Sequence, residues 1–308
     1  MTVPEMPLHP SIGLVLHPRR DPGEVAGTIV DWARSHGAEV LVRADDAGRV
    51  PGRVRAVPEA ELAADADALV ALGGDGTMLG ALRLAAARPV PVLGVNLGHL
   101  GFLVEVEPGE LSSALDRLEM GEFEVEDHPA LILSAGGVEM VGFNDVALAR
   151  VPGDGAVQAA LTVAGRAYGR YRCDALILAT PIGSTAYSYA AGGPVVSPML
   201  DAVIVSPAAP MAGISRPMVM SAGEPIGLEL LTESGSPALE VDGTVLRRAA
   251  PGESIGVTLR PNAGRVVRLD VDRFQRRNQV KLSLLDLPFL PEDVRDLATG
   301  PPPPLEPT

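Results

Sequence analysis

Short apolar runs alternate with amphipathic segments over the first third of the chain. The apolar runs predict strands at 12–16, 39–42, 68–72 and 90–95, and the other segments predict helices at 22–36, 58–64, 77–87 and 109–120. Asp21 and Pro22 are typical of a helix start, and Gly37 and Gly121 of a helix end. Strands that are apolar on both faces and are each followed by a helix indicate a doubly wound parallel α/β domain.

The pattern changes after residue 121, because apolar and polar residues then alternate with a period of two. Such segments occupy 130–134, 146–150, 160–164, 226–230, 254–259 and 266–271. Glycine-containing turns at 136–137, 154–155 and 242–243 are typical of β-hairpins, and one helix-like segment interrupts the strands at 184–191. We therefore predict an α/β domain at 1–125, a mostly β, sandwich-like domain at 126–273 and a disordered, proline-rich tail at 299–308.

The charge balance of the 308-residue chain disfavours two classes of partner. With 39 acidic and 25 basic residues the formal net charge is −14, which opposes nonspecific binding to nucleic acid or to anionic membranes. The sequence shows no secretory leader and no run of about 18 apolar residues that could span a bilayer. We expect a cytoplasmic protein that binds neither nucleic acid nor a membrane.

The supply of reactive side chains disfavours several chemistries. Lys281 is the single lysine and lies in an alternating apolar segment, so neither a lysine-bearing P-loop nor a lysine Schiff base is supported. Cys173 is the single cysteine, and the five histidines show no metal-ligand spacing. We expect a reduced protein without a metal site built from its own side chains.

A glycine-rich turn follows the third predicted strand. Gly73, Gly74 and Gly76 allow positive φ angles and a close approach to the backbone, so the open N–H groups and the next helix start can bind phosphate, to which Thr77 adds a hydroxyl donor. The carboxylate of Asp75 would repel phosphate, which suggests that it has a chemical role. It can accept a proton from an attacking hydroxyl as a general base, or it can simply cap the helix.

Four motifs in chain order resemble those of the NAD kinases. They are GGDGT at 73–77, NLGHLGFL at 96–103, Asn-Asp at 144–145 and DALILATPIGSTAYSYAAGGP at 174–194. GGDGT alone is also similar to the loop of diacylglycerol and sphingoid lipid kinases, so the long GSTAYSYAAGGP stretch is the specific signal. The resemblance covers residues 66–248 and implies two domains, with the C-terminal segment 274–298 returning to the first.

The resemblance implies transfer of the terminal phosphoryl group of ATP, or of polyphosphate, to the 2′-hydroxyl of the adenosine ribose of NAD, which gives NADP. A divalent cation, Mg²⁺, is expected to arrive with the donor phosphates, since phosphoryl transfer needs neutralisation of charge. Members of the family commonly form dimers or tetramers, and the sheet edges of a β-rich domain need cover. We therefore expect a homodimer or a homotetramer.

The resemblance also assigns roles to individual residues. Asp75 becomes the base that takes the proton of the 2′-hydroxyl, and Gly73, Gly74 and Thr77 bind phosphate. The expected substrate contacts are Asp75, Gly76, Asn144, Asp145, Arg172, Asp174, Thr185, Ala186, Tyr187, Ser188, Tyr189, Ala190 and Thr244.

Plain structural roles compete with several of these assignments. The segment 180–188 also fits the capped start of a helix, Arg172 and Asp174 also fit a surface ion pair, and Asp242-Gly243 reads first as a type I′ hairpin turn.

Other features leave alternatives open. Gly80, Ile182 and Met211 stand where the family usually has polar or basic residues, and Arg83 could replace the basic group missing at 80. A lipid kinase of the GGDGT type is one alternative function, which the acidic charge disfavours. A noncatalytic dinucleotide sensor is another, which the intact Asp75 disfavours.

Overall fold

The computed structural model describes residues 10–98 and 101–272. Within them the chain divides into two compact units: residues 10–126 with 265–272, and residues 127–264. The predicted return of 274–298 to the first domain and the tail at 299–308 lie outside the described residues. For the whole chain, the domain limits drawn from the sequence stay a prediction.

Parallel strands and helices alternate in the first unit. The elements are β1 (Ser11–Leu16), α1 (Gly23–His36), β2 (Glu39–Arg43), β3 (Arg55–Val57), α2 (Glu59–Asp65), β4 (Ala68–Gly73), α3 (Asp75–Ala85), β5 (Pro91–Asn96) and α4 (Leu111–Met120), with 3-10 turns at Ala44–Arg49 and Pro108–Glu110. The strand order is β3-β2-β1-β4-β5, and all of these neighbours are parallel.

Helices cover both faces of this sheet. Helices α1 and α4 pack on one face, where Leu14 and Val70 belong to the same buried cluster as residues of both helices. On the other face, a Cβ atom at Gly13 would lie 3.2 Å from Leu62 of α2, and one at Gly94 would lie 3.0 Å from Met78 of α3. Glycines at these two positions let α2 and α3 approach the strands closely, so the predicted doubly wound parallel domain is confirmed.

Antiparallel strands build the second unit. They are β6 (Glu124–Ala135), β7 (Val138–Gly142), β8 (Asp145–Ala149), β9 (Val157–Val163), β10 (Arg166–Cys173), β11 (Ala175–Ala179), β12 (Ala202–Ala208), β13 (Ala212–Gly213), β14 (Met218–Ser221), β15 (Ile226–Leu230), β16 (Ala238–Val241), β17 (Thr244–Arg248) and β18 (Ser254–Arg268). A short helix, α5 (Tyr187–Ala190), follows a 3-10 turn at Ile182–Thr185.

The second unit is a sandwich. One sheet has the order β14-β12-β11-β8-β16-β17, and another run of paired strands has the order β13-β10-β9-β15-β18. Leu178 and Val205 of the first sheet share one buried cluster with Leu161 and Leu228 of the second. The predicted mostly β, sandwich-like domain is therefore confirmed. The last residues of β18 pair in parallel with β5 in the first unit, at Arg265 and Val266.

Two of the three predicted hairpins form. Gly136-Gly137 joins β6 to β7 and Asp242-Gly243 joins β16 to β17, and all four turn residues have positive φ. The predicted hairpin at 154–155 is wrong, because β8 and β9 lie in different sheets and do not pair. Turn chemistry predicts a reversal of the chain but does not say which sheet the next strand joins.

Two helix predictions need correction. The third helix begins at Asp75, two residues earlier than its predicted start at 77. The predicted helix at 184–191 is instead a 3-10 turn and one short helical turn, separated by Ala186 with φ −97° and ψ −129°. Such a backbone cannot continue a helix.

Gly121 offers a test of how helix α4 ends. It ends α4 with φ 70°, and its N–H bonds to the carbonyl groups of Arg117 and Leu118, while a Cβ atom there would meet open space. Gly121→Ala should therefore lower the free energy of unfolding in urea by about 1 kcal/mol through backbone strain alone. Gly109→Ala is the matched control, since Gly109 also faces open space without a positive φ. Equal effects of the two substitutions would contradict this account.

Candidate active site

The carboxylate of Asp75 contacts a loop outside its own helix. Its Oδ2 accepts a hydrogen bond from the N–H of Phe102 at 2.7 Å, and its Oδ1 accepts one from the N–H of Leu103 at 2.9 Å. The N-cap residue of α3 is Gly74, and no side chain caps the helix. The helix-cap interpretation of Asp75 is therefore wrong. A Cβ atom at Gly101 would lie 2.1 Å from Oδ1, so this contact requires glycine at 101.

A buried arginine lies behind this loop. Arg268 is 3% exposed, and its Nη1 donates to the carbonyl oxygen of Leu103 at 2.9 Å while its Nε donates to Glu126. Burial lowers the pKa of Arg268, whereas the charges of Glu126, Glu105 and Asp75 raise it. Leu103 therefore bonds to Asp75 through its N–H and to Arg268 through its carbonyl group.

The three glycines of the turn leave space that a side chain would fill. None of them has a positive φ, which corrects that part of the expectation. A Cβ atom at Gly73 would lie 2.1 Å from Oγ1 of Thr77, whereas Cβ atoms at Gly74 and Gly76 would meet open space. Oγ1 of Thr77 is buried and has no hydrogen-bond partner within the described residues. The turn thus presents accessible backbone at Gly74 and Gly76, whereas the hydroxyl of Thr77 is enclosed.

A basic cleft of about 790 Å³ opens beside this turn. It lies at the edge of the sheet where β1 and β4 end, which is where parallel α/β sheets bind ligands. Arg20, Arg43, Arg83 and His17 line it together with the turn, and Glu59 pairs with Arg43 at 2.8 Å. The concentration of positive charge beside open N–H groups suits a polyanionic ligand.

The surroundings of His17 disfavour its charged form. Burial lowers its pKa, and the charges of Arg20, Arg19 and Arg49 lower it further. Its Nδ1 lies 3.2 Å from the N–H of Arg19 and 3.1 Å from that of Arg20, and it accepts from both. The proton is then on Nε2, which can donate to a ligand.

In the second unit, one carboxylate organises the Asn144-Asp145 motif. Asp242 accepts hydrogen bonds from the N–H groups of Phe143 at 3.2 Å, Asn144 at 2.7 Å and Asp145 at 3.2 Å. Thr180 adds a bond from its Oγ1 to the carbonyl oxygen of Phe143 at 2.7 Å. The motif and the start of the TPIGSTAYS segment are thus held together.

Asp145 is buried, and its proton affinity is unusual. Burial raises its pKa to about 7, the neighbouring charges of Asp242 and Glu240 raise it as well, and a hydrogen bond from the N–H of Tyr187 opposes them. The raised pKa favours the protonated form of Asp145 relative to an ordinary aspartate, and a change in the surrounding charge shifts it.

The STAYS residues differ in exposure. The side chain of Tyr187 is 37% exposed, and Thr185, Ala186, Tyr189 and Ala190 are also at least partly exposed. Ser188 is fully buried, and its Oγ lies 2.8 Å from that of Ser206. The hydroxyl of Ser188 is thus engaged inside the unit. The predicted substrate contacts in this segment stay predictions.

Arg172, Asp174 and Thr244 lie at or near the surface of the same unit. Asp174 pairs with Arg150, whose Nε is 3.1 Å from its Oδ1, and not with the Arg172 of the ion pair that the sequence suggested. The charge of Asp174 also acts on Tyr187, whose pKa is raised first by burial. Arg172 and Thr244 are exposed, and their predicted contacts stay predictions.

Sequence reasoning missed the groups that hold the site in place. The sequence indicates only a turn at Asp242 and does not single out Arg268. It does not identify the backbone partners of Asp75, although the motif NLGHLGFL ends at one of them, Leu103. His17, Arg20 and Arg43 carry no recognisable local signal, because two segments that are separate in the sequence, the loop after β1 and the end of β2, bring them to the cleft.

Across residues 10–98 and 101–272, no group of three or more His, Cys, Asp or Glu side chains could hold a metal ion. In the same part of the chain, no helix combines the length and the apolar character needed to span a bilayer.

Family models match most of the chain. The model of the ATP-NAD kinase N-terminal domain matches residues 12–123, and that of the C-terminal domain matches residues 143–269. NAD kinase 1 of Streptomyces coelicolor is 34% identical, over 96% of this chain and 90% of that protein. The NAD kinase of Corynebacterium glutamicum is 38% identical, over 76% of this chain and 83% of that protein.

Solved structures agree with the family models. An NAD kinase from Archaeoglobus fulgidus, solved in complex with ATP, superposes with a TM-score of 0.68 at 26% identity, over 89% of this chain and 98% of that one. Yeast NADH kinase complexed with NADH shares the fold, with a TM-score of 0.79 at 24% identity, over 92% of this chain and 90% of that one. These matches confirm the resemblance seen in the motifs, and the chain belongs to the NAD kinase family.

Proposed function

We propose that this enzyme transfers the terminal phosphoryl group of ATP to the 2′-hydroxyl of the adenosine ribose of NAD in the cytoplasm, with Asp75 as the general base. The observation that carries the proposal is the fixed carboxylate of Asp75 at the start of α3, beside a basic cleft with accessible backbone. The family relation supports NAD as acceptor and ATP as donor.

The geometry of Asp75 suits a base. Each carboxylate oxygen accepts one backbone N–H, from Phe102 or Leu103, and keeps a further lone pair for a hydroxyl. The orientation of the carboxylate is thus set before the substrate arrives, which reduces the entropy lost in reaching the reactive geometry. Asp75 accepts the proton of the 2′-hydroxyl while the 2′-oxygen bonds to the terminal phosphorus of ATP, and the bond from that phosphorus to the bridging oxygen breaks, which releases ADP.

The donor phosphates are assigned to the cleft. The N–H groups at the start of α3 lie where Gly74 and Gly76 leave open space, and we assign the phosphates to them together with Gly73. Thr77 stays in the proposed phosphate-binding set, although its hydroxyl is buried in the free protein. Arg20 and Arg83 line the same cleft and supply positive charge. Inorganic polyphosphate has the same repeating anionic groups, so it is the second donor that this cleft fits.

The acceptor is assigned to the Asn144-Asp145 motif and the STAYS segment. An ionised Asp145 accepts hydrogen bonds from ribose hydroxyls, the amide of Asn144 pairs with polar edges, and the partly exposed ring of Tyr187 can stack on a planar heterocycle. Gly76, Arg172, Asp174, Thr185, Ala186, Ser188, Tyr189, Ala190 and Thr244 stay in the proposed contact set, with Ser188 contributing through its backbone.

A divalent cation fits this site as a companion of the donor. No cluster of protein ligands for a metal is found in the described residues, and Mg²⁺ commonly binds through one or two carboxylates together with substrate phosphates. When bound, the ion neutralises negative charge on the donor phosphates. Asp75 and Glu59 are the carboxylates that line the cleft, and Glu59 is already paired with Arg43.

We also propose a homo-oligomer. Strands β14 and β17 end one sheet of the second unit, and Val219 on β14 and Val245 on β17 are 51% and 59% exposed. Apolar edge strands favour association with another copy. Light scattering that gives a mass near 31.9 kDa at micromolar concentration would contradict this proposal.

A direct assay tests the function. Purified protein with NAD and MgATP should form NADP, identified by its 2′-phosphate. Turnover of diacylglycerol or sphingosine without turnover of NAD would instead assign a lipid kinase, and binding of NAD without turnover would assign a sensor.

The substitution Asp75→Asn distinguishes the catalytic role of Asp75 from its structural role. The amide oxygen can keep one of the two backbone bonds, but an amide cannot take the proton. We expect kcat to fall by roughly 10²- to 10⁴-fold with little change in NAD binding. A loss below about tenfold, with the chemical step shown to be rate-limiting, would rule out the catalytic role.

Asp67→Asn is the matched control for that variant. Asp67 also accepts a backbone N–H, from Ser11 at 2.8 Å, but Ser11 begins β1 and so lies at the opposite edge of the sheet from the cleft. Both variants should lose a similar stability, about 1 kcal/mol. Only Asp75→Asn should lose its turnover.

Removal of divalent cations gives a further test. Excess chelator should abolish NADP formation, because arginines and N–H groups alone do not neutralise the donor charge, and added Mg²⁺ should restore it. Full turnover in chelator would refute the proposed requirement.

A further inference from the structure

The side chain of Asp242 does more than its turn requires. Residues 242 and 243 form the two-residue turn between β16 and β17, and Asp242 has φ 47°. Asparagine and glycine serve such a turn as well as aspartate does. Turn chemistry therefore does not explain why this carboxylate accepts the N–H groups of Phe143, Asn144 and Asp145.

We propose that Asp242 is a positioning residue of the NAD site: it fixes the Asn144-Asp145 backbone through three hydrogen bonds, and its negative charge acts on the neighbouring carboxylate of Asp145. The inference rests on the proposed function, since it takes Asp145 as a contact of NAD. Asp242 itself acts through the motif and is not assigned a contact with the substrate.

The charges around Asp145 support the electrostatic part of the proposal. Asp242 and Glu240 are the anionic neighbours that act on Asp145, and the N–H of Tyr187 donates to it. Asp174 acts on Tyr187 from the same neighbourhood. With a pKa of about 7, Asp145 changes protonation near neutral pH, and the charge of Asp242 is a cause of that value.

The direction of the pH effect follows from this. Protonated Asp145 loses acceptor capacity for ribose hydroxyls, so NAD affinity should rise as the pH increases through about 7.

The stability of the free protein changes with pH in the opposite direction. Because the folded pKa lies above the unfolded value of about 3.9, the contribution of Asp145 to stability falls as the pH rises from about 4 to about 7.

Two substitutions separate the hydrogen bonds from the charge. The N–H groups of Asn144 and Asp145 share Oδ1 of Asp242, whereas that of Phe143 bonds to Oδ2. Asp242→Asn keeps an Oδ1 acceptor and removes the charge. Asp242→Gly removes all three bonds while preserving the positive φ. Glu240→Gln is the control, because it removes a neighbouring charge without touching these bonds.

An NMR titration of the Asp145 carboxyl in the full chain without ligand tests the charge. The midpoint should lie near 7 in the unsubstituted protein, fall by about one unit or more in Asp242→Asn, and fall by less in Glu240→Gln. In NAD kinase assays, the plot of 1/KM for NAD against pH should shift its acidic limb to lower pH by the same amount. An unchanged midpoint in Asp242→Asn would overturn the inference.

Hydrogen exchange and kinetics test the positioning. In Asp242→Gly the amides of Phe143, Asn144 and Asp145 should exchange faster, and the KM for NAD should rise roughly tenfold or more at every pH, with a smaller change in kcat. Unchanged hydrogen exchange and an unchanged KM in Asp242→Gly would overturn the positioning role, even though the protein still phosphorylates NAD.

If the unsubstituted protein does not phosphorylate NAD, the proposed function fails. Hydrogen exchange and the titration then still decide whether Asp242 holds the loop.

Discussion

The bond between the Asp75 carboxylate and the N–H groups of Phe102 and Leu103 is the contact on which the first unit's site depends. It requires glycine at 101, where any side chain would strike the carboxylate. Arg268 holds the other side of Leu103 from within the core. A carboxylate that would otherwise repel a phosphate ligand is thereby kept at one place beside the basic cleft, with lone pairs left for a hydroxyl.

The second unit repeats this arrangement with a different aspartate. Asp242 binds three successive backbone N–H groups of the segment that carries Asn144 and Asp145. In both units an aspartate fixes a distant segment through the N–H groups of that segment and not through its side chains. The second case has an electrostatic consequence, because the fixing carboxylate lies close enough to Asp145 to raise its pKa.

The change from an α/β fold to a mostly β fold along the chain could be predicted because helix and strand periodicities are local. The glycine turn at 73–77 could be placed for the same reason, since it follows a buried strand. The partners of Asp75 and Asp242 could not be predicted, because they lie 27 to 99 residues away along the chain. Asp154-Gly155 failed as a hairpin because turn residues do not identify the sheet that the next strand enters.

The central claim is that a pre-fixed Asp75 carboxylate takes the proton of the 2′-hydroxyl. A crystal structure with NAD and a nonhydrolysable ATP analogue tests it most directly. The account predicts a carboxylate oxygen of Asp75 about 2.6 to 3.2 Å from the 2′-oxygen, directly or through one water molecule, with the bonds to Phe102 and Leu103 retained. A 2′-hydroxyl beyond that reach, in a complex whose donor phosphates occupy the cleft, would contradict it.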